Sequence, residues 1–374
     1  MLHEIIRTIE RHSRRVEVEE VALLDAVGRI AARTLKTRRN APPFDISALD
    51  GYAVKGDGPH FRVAAELEPA SASRVRIREG EAIFVPTGAP IPPGTRFLPR
   101  EAVTEQGPAV TAHGEADGRK IWQKGLWLPK GATLVEQGLA NTPQAIERLA
   151  MAGYAALPVF RKPRVAVLAT GNELVRGTST DSNRYLLGAL ATRDGADVSG
   201  LAVAPDDVSE IAALIAKLSG TADLLLITGG TAKGKKDLTS AALRSAGARV
   251  LLKDLPISPG KTMIFAKREG LPIFSLPGNP RPLLALYTVF VRPCLFRLAG
   301  RRTLSSGWER LALPETLEVG EGSARIIPAR LLRGGPAISA LYVDTPDGFV
   351  VVEGQTKALR KGDHVEVVWQ DVHP

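Results

Sequence analysis

Residues 224–237 read Leu-Leu-Leu-Ile-Thr-Gly-Gly-Thr-Ala-Lys-Gly-Lys-Lys-Asp, an apolar run that ends in a glycine turn with polar neighbours. Two further runs end in the same way, at residues 165–173 (Val-Ala-Val-Leu-Ala-Thr-Gly-Asn-Glu) and 273–280 (Ile-Phe-Ser-Leu-Pro-Gly-Asn-Pro). Short apolar runs without alternation are typical of strands buried on both faces of a parallel sheet. Ligands of such sheets bind outside the carboxyl ends of the strands. The pattern therefore predicts that the three turns converge on one site, and that this site binds an anion.

The pattern of the sequence divides the chain into four parts. From residue 163 to 300, strand and helix patterns alternate at the spacing of βα units, which predicts a doubly wound α/β core. Residues 51–119 hold short alternating stretches separated by glycine and proline, which predicts a β-rich insert. Residues 303–374 return to short strands, which predicts a small barrel or sandwich. Residues 1–40 have a helical pattern that ends before Pro42-Pro43.

A further helix is predicted over residues 141–153, ahead of the core. Asn141 is its expected N-cap, because asparagine accepts hydrogen bonds from the free backbone N–H groups of a first turn. Pro143 falls in that first turn and Gly153 at the end, which is the arrangement that helices favour.

Composition limits the classes of protein that the chain can represent. Its length of 374 residues indicates two or more domains, and its net charge of +9 is spread without a block of like charge, which argues against a nucleic-acid partner. Cys294 stands alone, so an internal disulfide and a cysteine-based zinc site are excluded. The longest apolar run, residues 283–291, is too short to span a bilayer. Because Glu4 and Glu10 also argue against a signal or transit peptide, we expect a cytoplasmic protein without a membrane partner.

The glycine turn at residues 229–235 matches the beginning of a phosphate-binding P-loop, Gly-x-x-x-x-Gly-Lys. A P-loop continues with Ser or Thr as a magnesium ligand, whereas Lys236 follows here. Backbone N–H groups of such a turn still attract anions, helped by Lys233 and Lys235. The alternative is that both lysines belong to a solvated basic loop.

Three carboxylates and one lysine are the other candidates for chemistry. Glu173 and Asp237 follow the first and second turns, and Asp50 precedes the β-rich insert. Carboxylate oxygens suit a divalent cation that bridges phosphates, although Asp237 could equally cap the helix after it. Lys261 leaves a Pro-Gly turn, which would present one cation to an oxyanion.

Together these motifs resemble, in order, those of the MoeA and gephyrin E-domain family, the molybdopterin molybdenumtransferases. The resemblance spans nearly the whole chain. Its motifs are Ala26-Val27-Gly28-Arg29, residues 42–54 (Pro-Pro-Phe-Asp-Ile-Ser-Ala-Leu-Asp-Gly-Tyr-Ala-Val), residues 86–90 (Pro-Thr-Gly-Ala-Pro), residues 170–174 (Thr-Gly-Asn-Glu-Leu), residues 181–184 (Asp-Ser-Asn-Arg), the 229–237 turn, Pro259-Gly260-Lys261 and residues 276–280 (Leu-Pro-Gly-Asn-Pro).

The resemblance implies an elongated homodimer of four-domain subunits. Residues 1–50 and 120–158 would form a discontinuous N-terminal helical connecting domain, and residues 51–119 a β-rich lid domain. Residues 159–302 would form the doubly wound, MogA/MoaB-like α/β domain that binds molybdopterin, and residues 303–374 a small C-terminal β-barrel. The active site would lie between the α/β domain of one subunit and the segment carrying Asp50 and Thr87 of the other.

The activity that the resemblance implies is insertion of molybdate into adenylylated molybdopterin with release of AMP, assisted by Mg²⁺ or another divalent cation. A molybdoenzyme or another protein of the cofactor pathway would be a further partner. Catalytic roles fall on Asp50, Thr87, Glu173 and Asp237, of which Asp50, Glu173 and Asp237 would hold the cation. Substrate binding falls on Thr170, Gly171, Asn183, Gly229, Gly230, Thr231, Gly234, Lys261, Pro277, Gly278, Asn279 and Pro280.

The chain also departs from the family pattern at the positions that resemble the molybdate pocket. Ala232 replaces a serine, Ser258 replaces a lysine, Thr262 replaces a proline, and Gly125-Leu126-Trp127-Leu128 and Gly94-Thr95-Arg96 lack the acidic residues of the family motifs. Because a lost charged donor weakens an anion site, a divergent paralogue that binds molybdopterin or its nucleotide as a carrier, without efficient metal insertion, remains an alternative. An unrelated nucleotide hydrolase that uses the glycine turn is a third.

Overall fold

The computed structural model of the protein describes residues 1–67, 75–113, 120–229, 236–302, 307–319, 324–331, 338–339, 346–354 and 358–370. The α-helices within these residues are α1 Leu2–Arg11, α2 Pro143–Met151, α3 Asn172–Val175, α4 Asn183–Arg193, α5 Val208–Ser219, α6 Lys236–Ser245, α7 Pro280–Leu286 and α8 Arg292–Leu298. A π-helical turn, Tyr287–Val291, joins α7 to α8. None of the described helices is both long and apolar enough to cross a membrane.

The strands fall into three groups along the chain. The first group is β1 Val18–Ala22, β2 Leu35–Lys36, β3 Ile46–Ser47, β4 Gly51–Val54, β5 His60–Glu66, β6 Glu81–Val85, β7 Arg96–Pro99, β8 Val103–Gln106, β9 Ala109–Ala112, β10 Ile121–Trp122, β11 Thr133–Val135 and β12 Ala156–Phe160. The second is β13 Arg164–Thr170, β14 Asp197–Ala204, β15 Leu224–Gly229, β16 Arg249–Leu252, β17 Ile264–Arg268 and β18 Leu271–Leu276. The third is β19 Trp308–Ala312, β20 Leu317–Glu318, β21 Ala324–Leu331, β22 Ile338–Ser339, β23 Gly348–Glu353, β24 Ala358–Leu359 and β25 His364–Trp369.

The second group forms one six-stranded sheet in the order β14-β13-β15-β18-β17-β16. The first four strands of that order are parallel, and β17 and β16 extend the sheet antiparallel. Successive residues of a strand point to opposite faces, and both faces are apolar here: Leu226 packs into one hydrophobic cluster, Leu225 and Ile227 into another. The first cluster includes residues of α4, α7 and α8, and the second residues of α5 and α6. Helices therefore cover both faces, and the predicted doubly wound core is confirmed.

The prediction of a helical pattern over residues 1–40 was wrong beyond the first ten residues or so. Helix α1 buries Leu2, Ile5 and Ile9, but the chain then becomes extended. Strand β1 pairs antiparallel with β12, β2 with β11, and β3 with β10. These pairings override local helical spacing because a segment that finds a strand partner satisfies its backbone groups through that partner.

Helix α2 begins one residue later than the sequence predicts. Thr142 is the N-cap, and its Oγ1 accepts a hydrogen bond from Ala145 N at 3.2 Å. Asn141, the expected cap, is buried and donates from Nδ2 to the carbonyl oxygen of Arg29 at 3.0 Å. Because the Asn141 amide forms this tertiary hydrogen bond, the neighbouring Thr142 caps the helix instead. Gly153 follows the helix with a φ of +82°, as expected.

Two β-rich parts flank the core in sequence. Strands β4 to β9 form a six-stranded sheet in the order β7-β4-β6-β5-β9-β8. Strands β19, β25, β23, β21 and β22 form a five-stranded antiparallel sheet, and β20 pairs with β24. Both follow the predicted β-rich character of residues 51–119 and 303–374.

Candidate functional site

The three turns identified in the sequence lie side by side at the carboxyl edge of the parallel strands. Thr170 at the end of β13 pairs with Gly229 at the end of β15, and Thr228 pairs with Leu276 at the end of β18. Adjacent strands in a sheet are about 5 Å apart, so the chain segments that leave these strands share one crevice.

A side chain from helix α4 ties two of these turns together. Asn183, the first residue of α4, donates from Nδ2 to the carbonyl oxygen of Gly278 at 2.7 Å and to Thr228 Oγ1 at 3.2 Å. Thr228 Oγ1 in turn donates to the carbonyl oxygen of Pro277 at 3.3 Å. These bonds fix the path of the turn after β18 relative to the end of β15.

The glycines of the crevice permit a close approach of backbone to backbone. Gly229 has a φ of +99°, and a Cβ at this position would overlap the carbonyl oxygen of Thr170. Gly278 lies next to it, and a Cβ built there would meet the Gly229 Cα at 3.5 Å. At Gly171, a Cβ would occupy the space taken by the carboxylate of Glu173. Any side chain would fill the crevice floor, so glycine keeps the backbone accessible to a ligand.

Two buried polar atoms of the crevice have no hydrogen-bond partner within the described parts of the chain. They are Thr170 Oγ1 and Asn183 Oδ1. Buried polar atoms are nearly always hydrogen-bonded, so atoms that lack a protein partner at a crevice are suited to a ligand or ordered water. Thr170 is 1% exposed, and its hydroxyl lies beside Gly229.

Glu173 lies in α3, immediately after the first turn. Its side chain is exposed and forms no ion pair with another described residue. The neighbouring Asn172 and Asp206 exchange hydrogen bonds, from Asn172 N to Asp206 Oδ2 at 3.2 Å and from Asp206 N to Asn172 Oδ1 at 3.1 Å. This exchange fixes the start of α3 to the segment after β14 and leaves the Glu173 carboxylate over Gly171.

The rest of the second turn lies outside the described residues. This applies to Gly230, Thr231 and Gly234, together with Ala232. Asp237 belongs to helix α6, but its side chain is likewise not described. Among the side chains that are described, no group of three or more His, Cys, Asp or Glu could hold a metal ion.

Asp50 and Thr87 form a second group, at the start of the β-rich part and in the turn after its strand β6. Asp50 Oδ1 accepts hydrogen bonds from both Thr87 N and Thr87 Oγ1, each at 2.8 Å. The bond from the backbone N–H, followed by the bond from the hydroxyl, lowers the pKa of Asp50. No hydrogen bond or ion pair joins this pair to the crevice within the described parts of this chain.

The Pro259–Lys261 turn lies between the core and the C-terminal sheet. Gly260 has a φ of +139°, and a Cβ there would clash with Ile257 and Leu286. Lys261 follows it and is exposed. Ser258 is held by strand β21: Ser258 N donates to Ala324 O at 3.0 Å, and Ile326 N donates to Ser258 O at 2.9 Å.

A cavity of about 480 Å³ opens where this turn meets the turn after β18. Its lining includes Ser258, Asn279, Arg281, Arg325 and Phe349. Asn279 is also the N-cap of α7, since its Oδ1 accepts a bond from Arg281 N at 3.2 Å, and Pro280 is the first helical residue. The sequence predictions missed both arginines. Arg325 reaches this turn only because tertiary packing brings β21 to it, whereas Arg281 directly follows the 276–280 motif and could have been found from its position there.

Two family models match the N-terminal part and the core, and a solved structure matches nearly the whole chain. Residues 1–153 match the model of the MoeA N-terminal region (domains I and II), and residues 166–297 match that of the probable molybdopterin-binding domain. The molybdopterin molybdenumtransferase of Haemophilus influenzae is 31% identical over 300 residues, which cover 76% of this chain and 74% of the relative. That of Bacillus subtilis is 29% identical over 317 residues, covering 78% and 73%. The crystal structure of a molybdopterin biosynthesis MoeA protein from Pyrococcus horikoshii has a TM-score of 0.84 and 26% identity, and covers 99% of this chain and 98% of its own.

Proposed function

This chain belongs to the MoeA family of molybdopterin molybdenumtransferases, and from that premise we propose that it inserts molybdate into adenylylated molybdopterin and releases AMP. The observation that carries the proposal is the buried Thr170 Oγ1, which has no hydrogen-bond partner among the described residues and lies where three glycine-containing turns meet. Such a crevice offers a hydroxyl and several backbone groups to one ligand.

Phosphate binding is the first task of the crevice. Turns at the carboxyl ends of parallel strands present backbone N–H groups, and glycine lets a phosphate approach them closely. Thr170 Oγ1 donates to a phosphate oxygen, and Asn183 holds the turn at Gly278 in position while it does so. The same donors stabilise the negative charge that develops on the phosphates as the link to AMP breaks.

The oxyanion and the cation use groups at the edge of the crevice. Lys261, exposed after a rigid turn, would bind molybdate oxygen. Mg²⁺ or another hard divalent cation takes carboxylate oxygens, and Glu173 meets this requirement because its exposed carboxylate forms no ion pair with another described residue. Glu173 and Asp237 would hold that cation, which would neutralise phosphate charge when bound.

Asp50 and Thr87 act from a second subunit in this proposal. The Asp50 carboxylate is kept ionised by two hydrogen bonds from Thr87 and lies on another part of the chain from the crevice. A homodimer in which this pair faces the crevice of the partner would complete the site and add Asp50 as a cation ligand. A molybdoenzyme or another cofactor-pathway protein would receive the product, in the cytoplasm and without nucleic acid or membrane.

The test is to incubate the purified protein with adenylylated molybdopterin, molybdate and Mg²⁺, and to measure AMP by chromatography. We expect the wild type to release AMP only when molybdate is present, and the Glu173→Gln variant to lose this release. Lys217→Gln is a matched control, because Lys217 lies in the last turn of α5, away from the crevice. Bound ligand without molybdate-dependent AMP would refute the proposed insertion.

A second candidate function is binding of molybdopterin or its nucleotide without efficient insertion. It is favoured by Ser258, which occupies the position of a lysine in the family motif. The backbone N–H and carbonyl oxygen of Ser258 are hydrogen-bonded to β21. The double variant Ala232→Ser, Ser258→Lys separates the two functions. A rise in AMP release in this variant would support the binding function, whereas full activity in both proteins would exclude it.

A further inference from the structure

Two tryptophans lie in contact on the surface near the Asp50–Thr87 pair. The ring centroids of Trp122 and Trp127 are 5.5 Å apart, and their planes are inclined by 60°. Trp127 is 45% exposed, and the neighbouring Leu126 and Phe44 are 58% and 49% exposed. We call Phe44, Trp122, Leu126 and Trp127 the aromatic patch. Exposed large apolar side chains that cluster on one surface are a feature of binding sites.

The backbone beneath the aromatic patch is fixed by hydrogen bonds. Trp127 N donates to the carbonyl oxygen of Ala41 at 3.0 Å, and Gly125 N donates to that of Pro42 at 2.9 Å. Lys124 N donates to Asp45 Oδ1 at 2.7 Å. The exposed indole of Trp127 therefore stands on an ordered segment, which reduces the entropy cost of binding a ligand there.

Strand β3 connects the aromatic patch to the Asp50–Thr87 pair. Trp122 pairs with Ile46 in β3, and the next residue, Ser47, holds the turn that contains Thr87. Ser47 Oγ donates to the carbonyl oxygen of Pro86 at 2.7 Å, and Gly88 N donates to Ser47 O at 2.9 Å. One strand thus separates the indoles from the turn that fixes the Asp50 carboxylate.

The two segments that carry the aromatic patch, residues 38–50 and 120–130, also have a surplus of positive charge. The five cations along them are Arg38, Arg39, Lys120, Lys124 and Lys130. Asp45 and Asp50 are the carboxylates along the same described segments, and no ion pair joins the five cations to another described residue. Exposed indoles on segments whose cations form no ion pair with another described residue favour a ligand that has both a planar ring and anionic groups. An apolar protein partner would need the indoles but not the cations.

We propose that the aromatic patch is a stacking platform for the planar heterocycle of a phosphate-bearing ligand, with Trp127 as the main contact. This extends the proposed function, since adenylylated molybdopterin contains two such heterocycles, pterin and adenine. Ring stacking on an aromatic side chain adds affinity with little dependence on the identity of the ring. The platform gives this chain a ring contact where the family motif has a carboxylate.

The test compares ligands with and without a ring, using the full-length protein and calorimetry. The probes are ADP, 6-hydroxymethylpterin diphosphate and inorganic pyrophosphate, which share a diphosphate group. We expect Trp127→Ala to weaken binding of at least one of the two ring-containing probes by about tenfold and to leave pyrophosphate unchanged. Trp127→Phe should retain most of the affinity because it keeps an aromatic face.

The matched control is Trp308→Phe, because Trp308 contacts His3 in another part of the molecule, with ring centroids 5.5 Å apart. It should bind all three probes like the wild type. Unchanged affinity of Trp127→Ala for both ring-containing probes would overturn the platform, and so would an equal loss for pyrophosphate. The AMP-release assay tests the proposed function separately. If the wild type releases no AMP but binds a ring-containing probe through Trp127, the proposed molybdate insertion is refuted and the stacking platform is supported.

Discussion

Asn183 Nδ2 lies 2.7 Å from the carbonyl oxygen of Gly278, so the first residue of helix α4 holds the turn that follows strand β18. These residues are 95 positions apart in the chain. The same amide contacts Thr228 Oγ1 at the end of β15. One asparagine thereby couples the geometry of two strand ends in the candidate crevice.

Replacing Asn183 should therefore damage the crevice. We expect Asn183→Ala to lower the free energy of unfolding by about 0.5–1.5 kcal/mol, because the hydrogen bonds from its amide to the Gly278 carbonyl oxygen and to Thr228 Oγ1 are lost. Binding of a phosphate-bearing ligand should weaken as the turn at Gly278 loses its position. Urea denaturation and calorimetry measure the two effects, and an unchanged affinity would show that the amide is not needed to hold the turn.

Gly229 should not tolerate a side chain. Gly229→Ala places a Cβ against the carbonyl oxygen of Thr170 in a backbone conformation with φ of +99°. We expect a loss of stability of about 1–3 kcal/mol from backbone strain, with a greater loss of ligand affinity. Gly278→Ala is the matched control for stability, because its Cβ would make only an ordinary contact at 3.5 Å. Equal stability of the two variants in thermal unfolding would contradict the close approach seen at Gly229.

The Thr87 hydroxyl should keep Asp50 ionised at lower pH than is usual for an aspartate. Hydrogen bonds from Thr87 N and Oγ1 lower the pKa of Asp50. Thr87→Val removes the hydroxyl donor and keeps the N–H, so the pKa of Asp50 should rise toward its ordinary value. As pH falls, the variant should then protonate Asp50 earlier than the wild type does. Carbon NMR of labelled aspartate measures the midpoint, and Thr87→Ser, which keeps the hydroxyl, should behave as wild type.

Asp223, at the amino end of the parallel strands, should make the free energy of unfolding depend on pH. Burial alone would raise its pKa, but hydrogen bonds from Arg161 and Arg164 outweigh burial and lower the pKa from 3.8 to about 2. Because the folded-state pKa is depressed, the stabilisation is present above about pH 4 and is lost as pH falls toward 2. Asp223→Asn should lower stability at neutral pH by about 2 kcal/mol and much less at pH 2.

The control for Asp223 is Asp197→Asn. Asp197 faces Lys162 at 3.7 Å with an exposed side chain, and exposed pairs contribute little. Urea denaturation at several pH values should show a small effect that barely changes with pH. A flat difference between wild type and Asp223→Asn from pH 2 to 7 would contradict the depressed pKa.

The sequence predicted the core well because its signal is local. The runs at residues 165–169 and 224–227 are apolar without alternation, which is typical of a strand buried on both faces when a glycine turn follows. Glycine after each run is equally local, since it reports a backbone that must pass close to another. The N-terminal part was predicted poorly because residues 18–22 become a strand by pairing with residues 156–160, a partner far away in the chain.

By itself, the sequence determined the class of the core, the order of the motifs and the family to which the chain belongs, because burial pattern and glycine placement follow from neighbouring residues. Only the tertiary structure decided which side chains meet. It joined Asn183 to Gly278, brought Ser258 to β21, and placed Trp122, which contacts Trp127, one strand from the turn that holds Asp50. Such contacts arise when strands and helices pack across long separations in the chain, and no local pattern specifies them.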